Sequence, residues 1–110
     1  MAMTASDKTL RKLVTLKRQK AEQDFQALLL AQRRMDQEIA ALTESLHALN
    51  AGEIDFHARQ LSHQQHFTEN TLARIDTLKA ERAALEPRLQ AARHALKKAI
   101  HSEERLSHPG

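Results

Sequence analysis

Leu49-Asn50-Ala51-Gly52-Glu53 holds the one glycine inside a chain of 110 residues, the other being the final Gly110. Asn followed closely by Gly suits a helix end, because both residues tolerate the left-handed conformation in which helices stop. This stretch places a turn near 50–55. Upstream of it the sequence predicts a helix from about Asp7 to Leu49. Thr4 or Ser6 can cap that helix, and Asp7 follows Thr4 at capping-box spacing. Downstream a second helix is predicted from about Ile54 to Leu106. Its start has an alternative in a loop from Asn50 to Leu61, since Ser62-His63-Gln64-Gln65 also has capping-box spacing.

At 1.5 Å per residue each helix would be roughly 65 to 80 Å long, more than a small globular domain accommodates. A short turn makes such helices antiparallel neighbours. The expected fold is all-α: two long helices forming an antiparallel coiled-coil hairpin, one unit over 7–106, with flexible termini at 1–6 and 107–110. Composition agrees. Ala, Glu, Lys, Leu and Arg supply 60 of the 110 residues, above the roughly 50% typical of coiled coils and long helices.

The apolar period supports the pairing. On the first helix Val14, Ala21, Leu28, Met35, Leu42 and Leu49 recur every seven residues, with Phe25, Ile39 and Leu46 at the second seam position. Arg18 and Gln32 interrupt that line. On the second helix Ile54, Leu61, Ile75, Leu89 and Leu96 form one series and Leu78, Leu85, Ala92, Ala99 and Leu106 the other. His57, Gln64, Thr68 and Thr71 weaken the stripe early on, so the part nearest the turn is expected to be looser. From Ile75 onward both series read as continuous. Pro87 falls on the face away from the seam, where a local kink is expected and not a break.

Several functions are disfavoured by what is absent. With no Cys there is no disulfide framework and no thiolate metal site, which points to an intracellular protein. The apolar run at Leu28 to Ala31 is far below the roughly 20 residues that span a bilayer, so neither membrane insertion nor a signal peptide is expected. Three aromatics (Phe25, Phe56, Phe67) give little material for an enclosed pocket, so no enzyme, no catalytic residues and no cofactor are expected. Seven histidines include His63 and His66 three apart, with Glu69 a loose third candidate, but no closed metal site is completed.

Charge is unevenly distributed. Residues 1–20 carry six basic side chains against Asp7, and residues 21–56 carry Arg33 and Arg34 against seven acids. Residues 57–86 balance, and residues 87–110 carry five basic side chains against Glu103 and Glu104. Antiparallel pairing joins the two basic segments, so the open end is expected to be strongly basic and the turn end acidic. Such polarity steers the two ends toward different partners. Nucleic acid is a weaker candidate for the basic end, which lacks interleaved aromatics for base stacking. A hairpin that buries one stripe per helix leaves its other faces for a partner, whether a second copy or a larger assembly.

A basic, leucine-rich opening, Leu10-Arg11-Lys12-Leu13, and the closing stretch Leu89-Gln90-Ala91-Ala92-Arg93-His94-Ala95-Leu96-Lys97-Lys98-Ala99 frame this hairpin. From about residue 8 to residue 106 it resembles the FliJ/YscO family, the stalk proteins of flagellar and virulence type III protein export. The resemblance implies a non-enzymatic cytoplasmic stalk, peripherally associated with a membrane export apparatus. In that family the end carrying the termini enters a hexameric export ATPase ring, and the turn-side half approaches the export gate and chaperones. By location, the resemblance assigns Lys12, Lys17, Arg18, Arg93, Lys97 and Lys98 to the ATPase end. It assigns Leu42, Leu46, Phe67 and Leu72 to the turn end. The chain departs from the family in having no tyrosine and in its short length. A generic adaptor coiled coil of another assembly, or a basic nucleic-acid-binding hairpin, would share the same heptads.

Overall fold

In a computed structural model, the structure describes residues 4–51 and 58–107, with side chains described over 4–49 and 62–107. Two helices account for them, α1 (Ala5–Ala51) and α2 (Ala58–Ser107), and no strand occurs among the described residues. Of the turn expected near 50–55, Asn50 and Ala51 still belong to α1, which runs two residues past Leu49, and 52–55, with Gly52, lie outside the described residues, as does His57.

Helix α1 runs for 47 residues without a Gly or Pro. Its start is fixed by a reciprocal cap. The Asp7 backbone N–H donates to Thr4 Oγ1 at 3.1 Å, and the Thr4 N–H donates to Asp7 Oδ2 at 3.3 Å. Each bond satisfies a donor that the first helical turn leaves open, and the Asp7 carboxylate sits where the helix dipole favours negative charge. Helical geometry thus begins at Ala5, two residues before Asp7. Helix α2 begins at Ala58 and contains Ser62 through Gln65, which removes the alternative of a loop reaching Leu61. It continues through the exposed Pro87 to Ser107. The side chains flanking Pro87 keep their period because its face carries no packing.

The chain divides into two compact units, each holding a segment of both helices. The terminal unit combines residues 1–30 with 86–110, and the connecting unit spans 31–85. In the terminal unit Arg11 bonds to the Leu106 carbonyl, Arg18 to Glu103, and Arg93 lies over Phe25. In the connecting unit Asp36 pairs with Arg82 and Glu38 with Arg74. In each unit a later residue of α1 meets an earlier residue of α2, which is antiparallel pairing. The fold is therefore an all-α helical hairpin.

Burial is concentrated on α2. Ile75, Leu78 and Leu85 of the connecting unit are 6%, 2% and 5% exposed, and Leu89 of the terminal unit is 3% exposed. Thr71 is buried with them. The corresponding stripe on α1, from Val14 through Leu49, is half-buried throughout. Half-buried positions on α1 include 14, 18, 21, 25, 28, 32, 35, 39, 42, 46 and 49, an unbroken alternation of three and four residues. On α2 the inward positions are 64, 68, 71, 75, 78, 82, 85, 89, 92, 96, 99, 103 and 106, spaced the same way. This is the seven-residue repeat of a coiled-coil seam.

Two sequence expectations are corrected by this spacing. Arg18 and Gln32 do not interrupt the seam of α1; they occupy it. The series on α2 is not continuously apolar after Ile75, because Arg82 stands at an inward position between Ile75 and Leu89, and Glu103 at the next one after Leu96 in the same series. Arg and Glu can take such places because their long stems pack against apolar neighbours while the charged head reaches a partner or water. Thr71, read as a weak point, is instead among the buried residues.

Candidate functional site

The basic segments of both helices fall in the terminal unit, which carries eleven Lys and Arg side chains against six Asp and Glu. The connecting unit carries six against eight. All six sequence-assigned cations, Lys12, Lys17, Arg18, Arg93, Lys97 and Lys98, therefore lie in one unit. They are not equivalent within it.

Arg18 is half-buried in the seam and has its partners inside the chain. Its Nε donates to Glu103 Oε2 at 3.1 Å and its Nη1 to Glu22 Oε2 at 2.8 Å. These bonds, Glu103 first and Glu22 second, raise the guanidinium pKa above its ordinary value. The Arg18 charge is thereby spent on holding α1 to α2. Arg93 is exposed at its head but stands over the Phe25 ring, 5.7 Å from its centroid, within cation–π range. Lys12, Lys17, Lys97 and Lys98 are exposed and make no ion pair among the described residues. Lys8 and Lys20 share that condition. These lysines, like the equally exposed Arg88 and Arg105, leave basic surface open to a partner.

Beside them lies a second feature that the heptad reading passed over. Leu10, Leu13 and Leu16 are 47%, 49% and 52% exposed, although they are large aliphatic side chains. They stand outside the seam series, so a search for period seven misses them; their spacing of three was the available signal. Leu10 also lines a shallow open groove with Val14, Ser102, Arg105 and Leu106.

The four residues assigned to the turn end fall in the connecting unit. Leu42 and Leu46 are half-buried in the seam of α1, whereas Phe67 and Leu72 are 45% and 48% exposed. Five residues separate Phe67 from Leu72, a rotation of about 140° around the helix, so the two point from different faces.

The described histidines carry no coordination geometry. His63 and His66 are exposed, and Glu69 accepts a bond from Gln65 Nε2 at 3.3 Å. Among the described residues no group of three or more His, Asp or Glu side chains is placed to hold a metal ion. No helix formed by them is long and apolar enough to cross a membrane. Compared with protein-family models, with curated proteins and with solved structures, the chain matches none.

Proposed function

We propose that this protein is a non-enzymatic coiled-coil stalk or adaptor of a type III protein export ATPase complex, the role implied by its resemblance to the FliJ/YscO family. The observation that carries the reading is the gathering of unpaired Lys12, Lys17, Lys97 and Lys98 in the unit that holds both termini. Clustered, unpaired cations accelerate encounter with an acidic protein surface and select against basic ones. In this reading that end docks into the ATPase ring. The connecting unit, which displays Phe67 and Leu72, faces the export gate or chaperones. The protein would work in the cytoplasm at the membrane export apparatus, without inserting into the bilayer. Arg18 serves the hairpin itself, and Leu42 and Leu46 belong to its seam.

The test is binding to the export ATPase of the same organism, following hexamer formation and ATP turnover. The wild type is expected to bind and to promote the hexamer. A variant with Lys12→Glu, Lys17→Glu, Arg93→Glu and Lys97→Glu is expected to do neither while keeping its helical circular dichroism. Failure of the wild type to bind overturns the reading.

A further inference from the structure

We infer that the exposed face of α1 between Lys8 and Lys20 is a binding surface for anionic lipid. Three observations converge on it. First, Leu10, Leu13 and Leu16 are each about half exposed, and no residue of α2 covers them enough to bury them. Second, Lys8, Lys12, Lys17 and Lys20 surround them unpaired, and no acidic residue occurs between Asp7 and Glu22. Third, the leucines follow one another at steps of three, each displaced about 60° around the helix from the last. They therefore span about 120° of the helix, with Lys20 and Lys17 falling between them, so the face is a mixed apolar and cationic arc and not a narrow apolar stripe.

That arc decides the class of occupant. A helix seated in a protein groove uses anchors at i, i+3 or i+4, and i+7. Here the i+7 positions from Leu10 and Leu13 are Lys17 and Lys20, which would push charge into such a groove. A second copy of this chain is disfavoured as well, because the same face would bring two cationic clusters together. An anionic bilayer surface satisfies both elements. Leucines enter the boundary between headgroups and acyl chains, while lysine stems lie along it and their ammonium groups reach the phosphates. The helix lies on the surface and does not span it, in keeping with the lack of a long apolar helix among the described residues. The inference shares Lys12 and Lys17 with the export reading, but its apolar component, Leu10, Leu13 and Leu16, has no part in that reading, so the leucine variant below separates the two.

Co-flotation of the full chain with vesicles tests it. One set contains equal parts phosphatidylglycerol and phosphatidylcholine, the other phosphatidylcholine alone. The wild type is expected to float with the anionic vesicles only. The triple variant Leu10→Gln, Leu13→Gln, Leu16→Gln keeps the charge and should lose roughly tenfold or more in partitioning. The triple variant Lys12→Gln, Lys17→Gln, Lys20→Gln should lose a similar factor. Because the chain has no Trp, Leu13→Trp gives a clean depth reporter whose emission should shift to the blue on anionic vesicles, while the exposed Gln37→Trp should not respond. A wild type that ignores both vesicles overturns the inference, even if an acidic polypeptide retains it. So does equal flotation of the leucine variant, which would leave only diffuse charge attraction.

Discussion

Leu78 is the most completely buried side chain described, at 2% exposure, and stands beside Ile75 and Leu85 on the inward line of α2. Replacing it with Ala removes three buried carbon atoms and leaves a void. Leu→Ala changes in cores cost about 2 to 5 kcal/mol, the spread reflecting how far the site collapses. Facing residues on α1 are only half-buried, so part of the void opens to water or closes by a small helix shift. Ala also has the higher helix propensity, which offsets a few tenths of a kcal/mol. The expected loss is therefore at the lower end, about 2 to 3 kcal/mol. With a urea m-value of about 1 to 2 kcal/mol/M, the midpoint should fall by at least 1 M. Leu13→Ala, made at a 49% exposed position, should leave the stability within about 0.5 kcal/mol of wild type. Urea unfolding followed by helical circular dichroism, at two protein concentrations, measures both. Equal effects at Leu78 and Leu13 would refute the assignment of the core to the inward line of α2.

Pro87 lacks a backbone donor and lies inside α2, so Pro87→Ala should raise stability by up to about 3 kcal/mol, seen as a higher urea midpoint; an unchanged midpoint would show that the helix has absorbed the proline without strain. At the polar layer of the terminal unit, Glu103→Leu alone leaves Arg18 facing an apolar neighbour, whereas Arg18→Leu with Glu103→Leu restores an apolar seam. The double variant should unfold at higher temperature than the Glu103→Leu single, and the opposite order in a thermal melt would count against the seam position of this pair.

Much of this fold is written in the spacing of apolar residues. The series from Val14 to Leu49 and from Ile75 to Leu106 locates the inward line on both helices, and Thr4 with Asp7 marks the first cap. Polar residues on the same line are less readable. Arg18 and Gln32 look like breaks when hydrophobicity alone is counted, and Arg82 and Glu103 go unnoticed in a stripe that reads as continuous, yet backbone geometry carries the seven-residue repeat through all four. Arg18 finds Glu103 across 85 residues of sequence, and only the antiparallel register brings that carboxylate opposite. The same register decides which cations are open to partners. Sequence places six of them at one end, but it does not distinguish Arg18, held by Glu103 and Glu22, from Lys17 beside it, which has no ion pair. The exposed Leu10, Leu13 and Leu16 escape a heptad search because they lie off the repeat.

The two units are stabilised by different means, and the difference bears on where partners act. The connecting unit holds Thr71, Ile75, Leu78 and Leu85 in its interior and neutralises Asp36 and Glu38 against Arg82 and Arg74. Among the described residues the terminal unit fully buries only Leu89, adding to its half-buried seam the Arg18 bonds, the Arg11 bond to Leu106 and the Arg93 contact with Phe25. It also carries five more basic than acidic side chains, whose mutual repulsion works against compactness. An anionic partner relieves that repulsion in the folded hairpin, where the lysines are gathered, more than in an extended chain, where they are spread. Binding there is thus coupled to the integrity of the hairpin. A partner present at a hundred times its dissociation constant adds about 2.7 kcal/mol, comparable with the effect of the best-buried leucine, and it acts on the unit with the smaller core.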